Sequence, residues 1–160
     1  IKKRKMKSFL FAENSKLEAI SKGLFGEASI ETITIPSSIK QIESKAFYYC
    51  ENLSDIKFLN GSEINSICDE AFSETKITNI VIPSKEIHIK NFAFVENLAI
   101  QSIEFLGDTI TIGKFSFSRC AQLAIISFPY ATQININKDS FHGISKQFHL
   151  FVPFKACMKQ

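Results

Sequence analysis

Four cysteines and three histidines are the side chains of this 160-residue chain that are best suited to nucleophilic or metal chemistry. A catalytic Cys–His pair needs hydrogen-bond reach between the two side chains and a third group that orients the histidine. Cys68 and His88 are the pair to consider, but they fall on neighbouring repeats of the pattern described below and are two positions out of register. We therefore predict no catalytic dyad.

Motifs for metal or phosphate binding are absent from the sequence. The chain has no Cys-x-x-Cys and no His-Glu-x-x-His arrangement, which are typical spacings of metal ligands. Its six glycines are scattered and do not form a glycine-rich loop that could surround a phosphate group. The sequence predicts no metal site, no cofactor and no enzymatic activity.

A phenylalanine that recurs at nearly constant spacing defines a sequence repeat. The fold of that repeat determines where the cysteines and histidines lie. The spacings are 22, 25, 22, 23 and 24 residues, for Phe25, Phe47, Phe72, Phe94, Phe117 and Phe141. A period of 20–29 residues carried by aliphatic positions is typical of a leucine-rich solenoid, in which each repeat forms one coil. We predict one domain over residues 1–160, with about six complete repeats and partial units at its ends, and a single stacked file of these rings.

Two apolar steps in each repeat predict two short strands. The first is an alternating pair, as expected for a strand with one buried face: Ile33/Ile35, Ile56/Phe58, Ile80/Ile82, Ile103/Phe105, Ile126/Phe128 and Leu150/Val152, with Phe9/Phe11 as an earlier copy. All four prolines directly follow this step, where a strand ends because proline lacks a backbone N–H.

The second step is an aliphatic pair before each phenylalanine. Its members are three residues apart in the first three repeats and two apart in the last three: Leu17/Ile20, Ile39/Ile42, Ile64/Ile67, Ile87/Ile89, Ile110/Ile112 and Ile134/Ile136. The predicted fold is therefore mainly β, a stack of parallel strands with short second strands, tight corners around the phenylalanines and little helix.

The repeat frame opposes a disulfide between the cysteines that share a position. Cys50 and Cys120 lie three coils apart, which corresponds to roughly 14 Å for strands stacked about 4.8 Å apart. A disulfide allows roughly 7 Å between Cα atoms. We predict that both are buried free thiols, that Cys68 is more exposed, and that Cys157 belongs to the C-terminal segment.

The repeated pattern resembles that of the BspA-like, or Treponema pallidum-type, leucine-rich repeat family. Residues 31–50, ETITIPSSIKQIESKAFYYC, match its Ile-x-Ile-Pro, hydrophobic-x-x-Ile and Ala-Phe-x-x-Cys elements nearly position by position. The resemblance extends from about Met6 to Pro153, and the sequence departs from it in the closer second pair of the later repeats and in Ile144, which replaces Cys or Asn. It implies a curved solenoid, often from a cell-surface or secreted protein linked to adhesion, and it carries no catalytic residues.

The charges do not favour a nucleic-acid surface. The net charge is +3, but five basic residues lie within the first seven positions, and the remaining 14 basic side chains face 16 acidic ones. No apolar run approaches the roughly 18 residues that a membrane-spanning helix needs. We therefore expect neither nucleic-acid binding nor a transmembrane segment in this chain.

The outward positions of the first strand are the candidate binding face. They carry short polar side chains, a few charges and a valine, a mixture that suits a protein or a glycan: Thr32, Thr34, Asp55, Lys57, Asn79, Val81, Ser102, Glu104 and Ser127. We expect a protein- or glycan-binding module of a cell-surface or secreted protein. The alternative is a cytoplasmic scaffold that organises a cytoskeletal or other macromolecular assembly.

Overall fold

The computed structural model describes residues 5–144 and 147–153, together with the backbone of Cys157–Lys159. Over these residues the chain winds into a parallel β-solenoid without helix, which confirms the predicted fold class. The first apolar step of each coil forms the main strands: β2 (Thr32–Ile35), β4 (Asp55–Phe58), β6 (Asn79–Ile82), β8 (Ser102–Phe105), β10 (Ile125–Ser127) and β12 (His149–Phe151). The second step forms the second strands: β1 (Ala19–Ile20), β3 (Gln41–Ile42), β5 (Ser66–Ile67), β7 (Glu86–Ile89), β9 (Thr109–Ile112), β11 (Gln133–Ile136) and β13 (Cys157–Lys159).

The second strands form one seven-stranded parallel sheet in the order β1-β3-β5-β7-β9-β11-β13. Strands β3 and β5 are two residues long, whereas β7, β9 and β11 are four residues long. This difference follows the spacing of the aliphatic pair, because alternate residues of a strand point to the same face. Ile87 and Ile89 satisfy that period, whereas Ile39 and Ile42 are three apart and are both buried only because the chain bends between them.

The main strands form two separate sheets rather than one continuous stack. Strand β2 pairs with β4, and β6, β8, β10 and β12 form a four-stranded sheet, but β4 and β6 are not paired. The coil between Phe47 and Phe72 is the longest, and two of the three residues that it has beyond the preceding 22-residue coil lie in the segment between β4 and β5. The break therefore coincides with the longest repeat.

The predicted earlier copy of the main strand is not a strand. Phe9 and Phe11 lie in irregular backbone that precedes β1. The two rings contact each other edge to face at 4.9 Å, and Phe9 packs in the same way against Phe25 at 4.8 Å. These side chains therefore cover the exposed end of the aromatic core without extending the sheet.

The repeated phenylalanines form the predicted stacked file. Successive ring centroids are 5.0–5.2 Å apart from Phe25 to Phe117 and 5.7 Å apart between Phe117 and Phe141. The first five rings are fully buried, and isoleucines from the main strands and the second strands belong to the same core. Such stacking joins coils that are individually too small to fold into one continuous core.

The corners around these rings have a backbone conformation that the sequence did not predict. Non-glycine residues with φ between 55° and 61° lie two positions before and two positions after the phenylalanine: Lys45, Glu70, Phe92 and Phe115 before it, and Glu27, Tyr49, Glu74, Glu96 and Arg119 after it. Gly23 and Gly143 occupy the same two positions at the ends of the array. The phenylalanine N–H donates to a carbonyl oxygen of the next coil at 2.8–2.9 Å, so the corners form a further hydrogen-bonded column beside the main strands and the second strands.

Candidate functional site

The strand register aligns the predicted binding residues on the outward face of the main sheets. Their side chains lie in two rows, partly or fully exposed, while the intervening isoleucines and phenylalanines point inward. In one row Thr32 is paired with Asp55 and Asn79 with Ser102; in the other Thr34 is paired with Lys57 and Glu104 with both Val81 and Ser127. The arrangement of the rows is as predicted, and their role in binding stays a prediction.

A groove of about 880 Å³ lies on this face at the break between β4 and β6. Five of the nine predicted residues line it, whereas Thr32, Ser102, Glu104 and Ser127 do not. The lining comes from four successive coils: Thr34, Asp55, Ile56, Lys57, Phe58, Leu59, Asn60, Asn79, Val81, Pro83 and Leu106. The unpaired strands thus border a concave surface that a continuous flat sheet would lack.

The groove combines an exposed apolar strip with a balanced pair of charges. Leu59, Val81 and Leu106 are 49%, 47% and 36% exposed. The carboxylate of Asp55 lies 3.9 Å from the ammonium group of Lys57, and both side chains reach solvent. Such an exposed ion pair contributes little to stability, but it leaves the groove without net charge among its lining residues.

Sequence reasoning included Val81 but missed the other apolar residues of the groove lining, which are Ile56, Phe58, Leu59, Pro83 and Leu106. A signal was present, because Leu59 and Leu106 occupy the position after the strand that proline fills in four other repeats. The long spacing between Phe47 and Phe72 was a second signal. Neither signal reveals that the neighbouring strands β4 and β6 are not paired with each other, since that depends on how adjacent coils are placed in space.

The cysteines of the corner are buried free thiols, as predicted. The thiol groups of Cys50 and Cys120 donate to the carbonyl oxygens of Phe25 and Phe94, at 3.0 and 3.2 Å. Burial raises the pKa of the Cys50 thiol to about 11 and that of the Cys120 thiol to about 12. Both are therefore protonated at neutral pH and poor nucleophiles.

Cys68 is half-buried, and it lies two positions out of register with His88, as predicted. His88 is paired with Ser66 across the second sheet. The His88 imidazole Nε2 lies 3.4 Å from a carboxylate oxygen of Glu86, and the Cys68 sulfur lies 3.7 Å from the Ser66 hydroxyl oxygen. The thiol and the imidazole therefore have different polar neighbours. The side chain of Cys157 is outside the described residues.

We expect a thiol reagent at pH 8 to modify Cys68 before Cys50 and Cys120. The reactive species is the thiolate, and pKa values of about 11 and 12 leave about 0.1% of Cys50 and about 0.01% of Cys120 in that form. Mass spectrometry of tryptic peptides after timed labelling measures the order, and labelling in guanidinium chloride is the control in which all sites react. Earlier modification of Cys120 under native conditions would contradict the described burial.

Two further findings concern the part of the chain that the structure describes. No group of three or more His, Cys, Asp or Glu side chains within residues 5–144 and 147–153 is arranged to hold a metal ion. In that same part of the chain, no helix has the length and apolar character required to cross a bilayer.

Comparisons with known proteins show a fold and a family. No curated protein matches the chain. The crystal structure of the pneumococcal vaccine antigen PcpA is 14% identical with a TM-score of 0.50, covering 96% of this chain and 68% of that one. A leucine-rich repeat protein from Bacteroides ovatus ATCC 8483 is 20% identical with a TM-score of 0.48; the match covers 88% of this chain and 48% of that one, so this chain spans about half its length. The model of the BspA type leucine rich repeat region, with six copies, matches residues 3–97.

Proposed function

Because the chain belongs to the BspA-type leucine-rich repeat family, we propose that it is a non-enzymatic binding module that holds a protein partner on its main-sheet face. The groove between β4 and β6 is the observation that supports this proposal. The nine predicted face residues and the groove lining together form the proposed contact surface. The whole of residues 1–160 acts as one domain in this proposal.

The apolar strip is the part of the groove that supplies binding free energy. The side chains of Leu59, Val81 and Leu106 remain substantially exposed in neighbouring coils, and they line the same concave surface. Contiguous exposed apolar surface that is rimmed by polar residues commonly marks a binding site. Burying these side chains against a partner removes apolar area from water, which stabilises the complex.

The composition of the groove favours a protein over a glycan. A glycan presents many hydroxyl groups that need hydrogen-bond partners, and buried hydroxyls without partners are costly. Phe58, Leu59, Pro83 and Leu106 offer no side-chain donor or acceptor, and the charges of Asp55 and Lys57 already face each other. A protein can supply both aliphatic or aromatic side chains that cover this strip and backbone or side-chain groups that pair with Thr34, Asn60 and Asn79.

We also propose that the module comes from a cell-surface or secreted protein. The family resemblance supports this location, and a structure with the same fold is described as a pneumococcal vaccine antigen. The alternative is an intracellular scaffold. Protease treatment of intact cells of the source organism separates the two, because a surface module is cleaved or released whereas an intracellular one is retained.

A photoreactive amino acid at position 81 tests the site directly. We expect it to crosslink a protein in extracts of the native environment, whereas the same group at position 17 does not, because Leu17 is similarly exposed but lies outside the groove. Prior protease treatment of the extract should abolish the crosslink and removal of glycans should not. A crosslink that survives proteolysis but not deglycosylation would assign a glycan partner instead.

With the crosslinked partner purified, Val81→Asp is expected to weaken its binding by at least about tenfold, in line with a central apolar contact that contributes 1–2 kcal/mol. Val81 is 47% exposed on an outward strand position, so the variant should retain its melting temperature. Leu17→Asp is the matched control and should bind as the unmodified protein does. Equal affinity of all three proteins would place the contact surface outside the groove.

A further inference from the structure

Two phenylalanines on the corner face, Phe92 exposed and Phe115 half-buried, have a backbone conformation that is unfavourable for them. Phe92 and Phe115 have φ values of 58° and 55° and stack on each other at 5.3 Å. Phe92 is 40% exposed. Positive φ is disfavoured for bulky side chains, and an exposed ring adds little to the core.

The fold does not require aromatic side chains at this position of the corner. The equivalent residues of the preceding coils are Gly23, Lys45 and Glu70, which adopt the same conformation and donate the same hydrogen bond to the next coil. A glycine is the least strained choice there. Local choices that cost stability without serving the fold often identify functional positions, so Phe92 and Phe115 call for a role outside the core.

A pocket of about 300 Å³ lies beside Phe92, on the side away from Phe115. Its lining combines two aromatic rings, one valine, one serine and three carboxylates from three successive coils: Tyr48, Glu70, Ser73, Glu74, Phe92, Val95 and Glu96. This pocket is separate from the groove, since the two share no lining residue. It lies at the corners around the repeated phenylalanines, outside the sheets of main strands and of second strands.

The pocket has an excess of negative charge. Glu70 lies 3.4 Å from the Lys45 ammonium group, and Glu96 accepts a hydrogen bond of 2.6 Å from the Arg119 guanidinium group. Glu74 has the Tyr48 hydroxyl as its polar neighbour, and desolvation followed by the nearby Glu96 charge raises the pKa of Glu74. Three carboxylates therefore face two cations, and a further cation would compensate the remaining charge.

Cations of the chain itself already lie on aromatic rings of this face. The Lys45 ammonium group is 5.5 Å from the centre of the Tyr48 ring, and that of Lys114 is 5.0 Å from the centre of the Phe115 ring. Such distances allow the cation to interact with the ring quadrupole. The same combination of ring and carboxylate surrounds the pocket.

We propose that the pocket between Tyr48 and Phe92 receives an arginine side chain of a protein partner. A guanidinium group is planar, so it stacks on a ring and at the same time donates paired hydrogen bonds to a carboxylate such as Glu74. An ammonium group offers the charge but not the flat face. The proposal does not depend on the groove being a binding site.

The test uses three acetylated and amidated nine-residue peptides of glycine and serine that differ only in a central arginine, lysine or glutamine. Their binding is followed by changes in the backbone amide NMR signals of the protein. We expect the arginine peptide to shift the signals of Glu74 and Val95 and to bind about threefold more tightly than the lysine peptide, because only the guanidinium group combines stacking on the ring with paired hydrogen bonds. The glutamine peptide should shift neither signal.

Three variants of the pocket, together with one variant of the groove, distinguish recognition from a structural role. Phe92→Gly should change the melting temperature by less than about 4 °C, because the glycine is relaxed at this φ, and should weaken arginine-peptide binding about threefold. Phe92→Tyr should retain that affinity, and Glu74→Gln should lower it without affecting the fold. Val81→Asp should leave it unchanged, so a failure of this proposal is distinguishable from a failure of the groove. Equal binding of arginine and lysine peptides, or undiminished arginine binding by both Phe92→Gly and Glu74→Gln, would overturn the proposal.

Discussion

Replacing Phe94 with alanine is expected to lower the free energy of unfolding by about 3–5 kcal/mol. The ring is fully buried, and it stacks between Phe72 and Phe117 at centroid distances of 5.2 Å on both sides. Truncation removes its apolar contacts and leaves a cavity between two coils, which rigid strands on either side cannot close completely. Denaturant unfolding followed by circular dichroism measures the change.

Phe141→Ala is the matched control for that prediction. Phe141 belongs to the same file but is only partly buried, and it lies 5.7 Å from Phe117. In a solenoid each coil is stabilised by its nearest neighbours. We therefore expect that Phe141→Ala, near the end of the described file, lowers the free energy of unfolding by less than half as much as Phe94→Ala. Equal losses for the two variants would argue against a core built from nearest-neighbour contacts.

Replacing Gly107 with alanine is expected to cost at least about 2 kcal/mol, within the range found for overpacked interiors. A Cβ atom at this position would clash with the carbonyl oxygen of Ser84 and would lie 3.0 Å from that of Lys85. Both atoms belong to the backbone of the preceding coil, and Lys85 O also accepts a hydrogen bond of 2.8 Å from the Asp108 N–H. Relieving the clash would therefore separate two coils.

Gly26→Ala provides the comparison, because its new Cβ would be 3.4 Å from the nearest atom, an ordinary contact. We expect its stability to stay within about 1 kcal/mol of the unmodified protein. Urea unfolding midpoints of both variants measure the difference. A Gly107→Ala protein as stable as Gly26→Ala would mean that the coils can separate locally without loss.

The sequence was sufficient for the features that repeat. The constant spacing of Phe47, Phe72 and Phe94 requires one local structure per coil, and a regular stack of coils then places equivalent residues in columns. For that reason the aromatic file, the burial of Cys50 and Cys120 and the alignment of the outward rows could be predicted. Each depends on position within the repeat and not on the detailed geometry between coils.

Features that depend on the fit between two particular coils could not be predicted. The break between β4 and β6 reflects the relative placement of adjacent strands, which the residue pattern does not encode. The apolar residues that it exposes, such as Leu59 and Leu106, looked like ordinary positions after a strand. Of the proposed groove, the sequence therefore predicted Thr34, Asp55, Lys57, Asn79 and Val81, but not the apolar residues beside them.

The corner face was missed for a different reason. Positive φ is usually inferred from glycine, and only Gly23 and Gly143 carry that signal at these positions. The intervening coils place Lys45, Glu70 or Phe92 in the same conformation, so the residue types at this position do not reveal its positive φ. Three-dimensional stacking then brings together Tyr48, Glu74 and Phe92, which are 26 and 18 residues apart in the sequence.

The corner hydrogen bonds affect how the number of coils in such a protein can change. Each coil donates the same corner N–H groups to carbonyl oxygens of the next coil, and its own corner carbonyl oxygens accept from the coil before it. Duplication or deletion of one 22–25-residue unit in the gene therefore preserves these bonds at the new junction. Array length can change in whole units during evolution, and each added unit brings new surface side chains on an unchanged backbone.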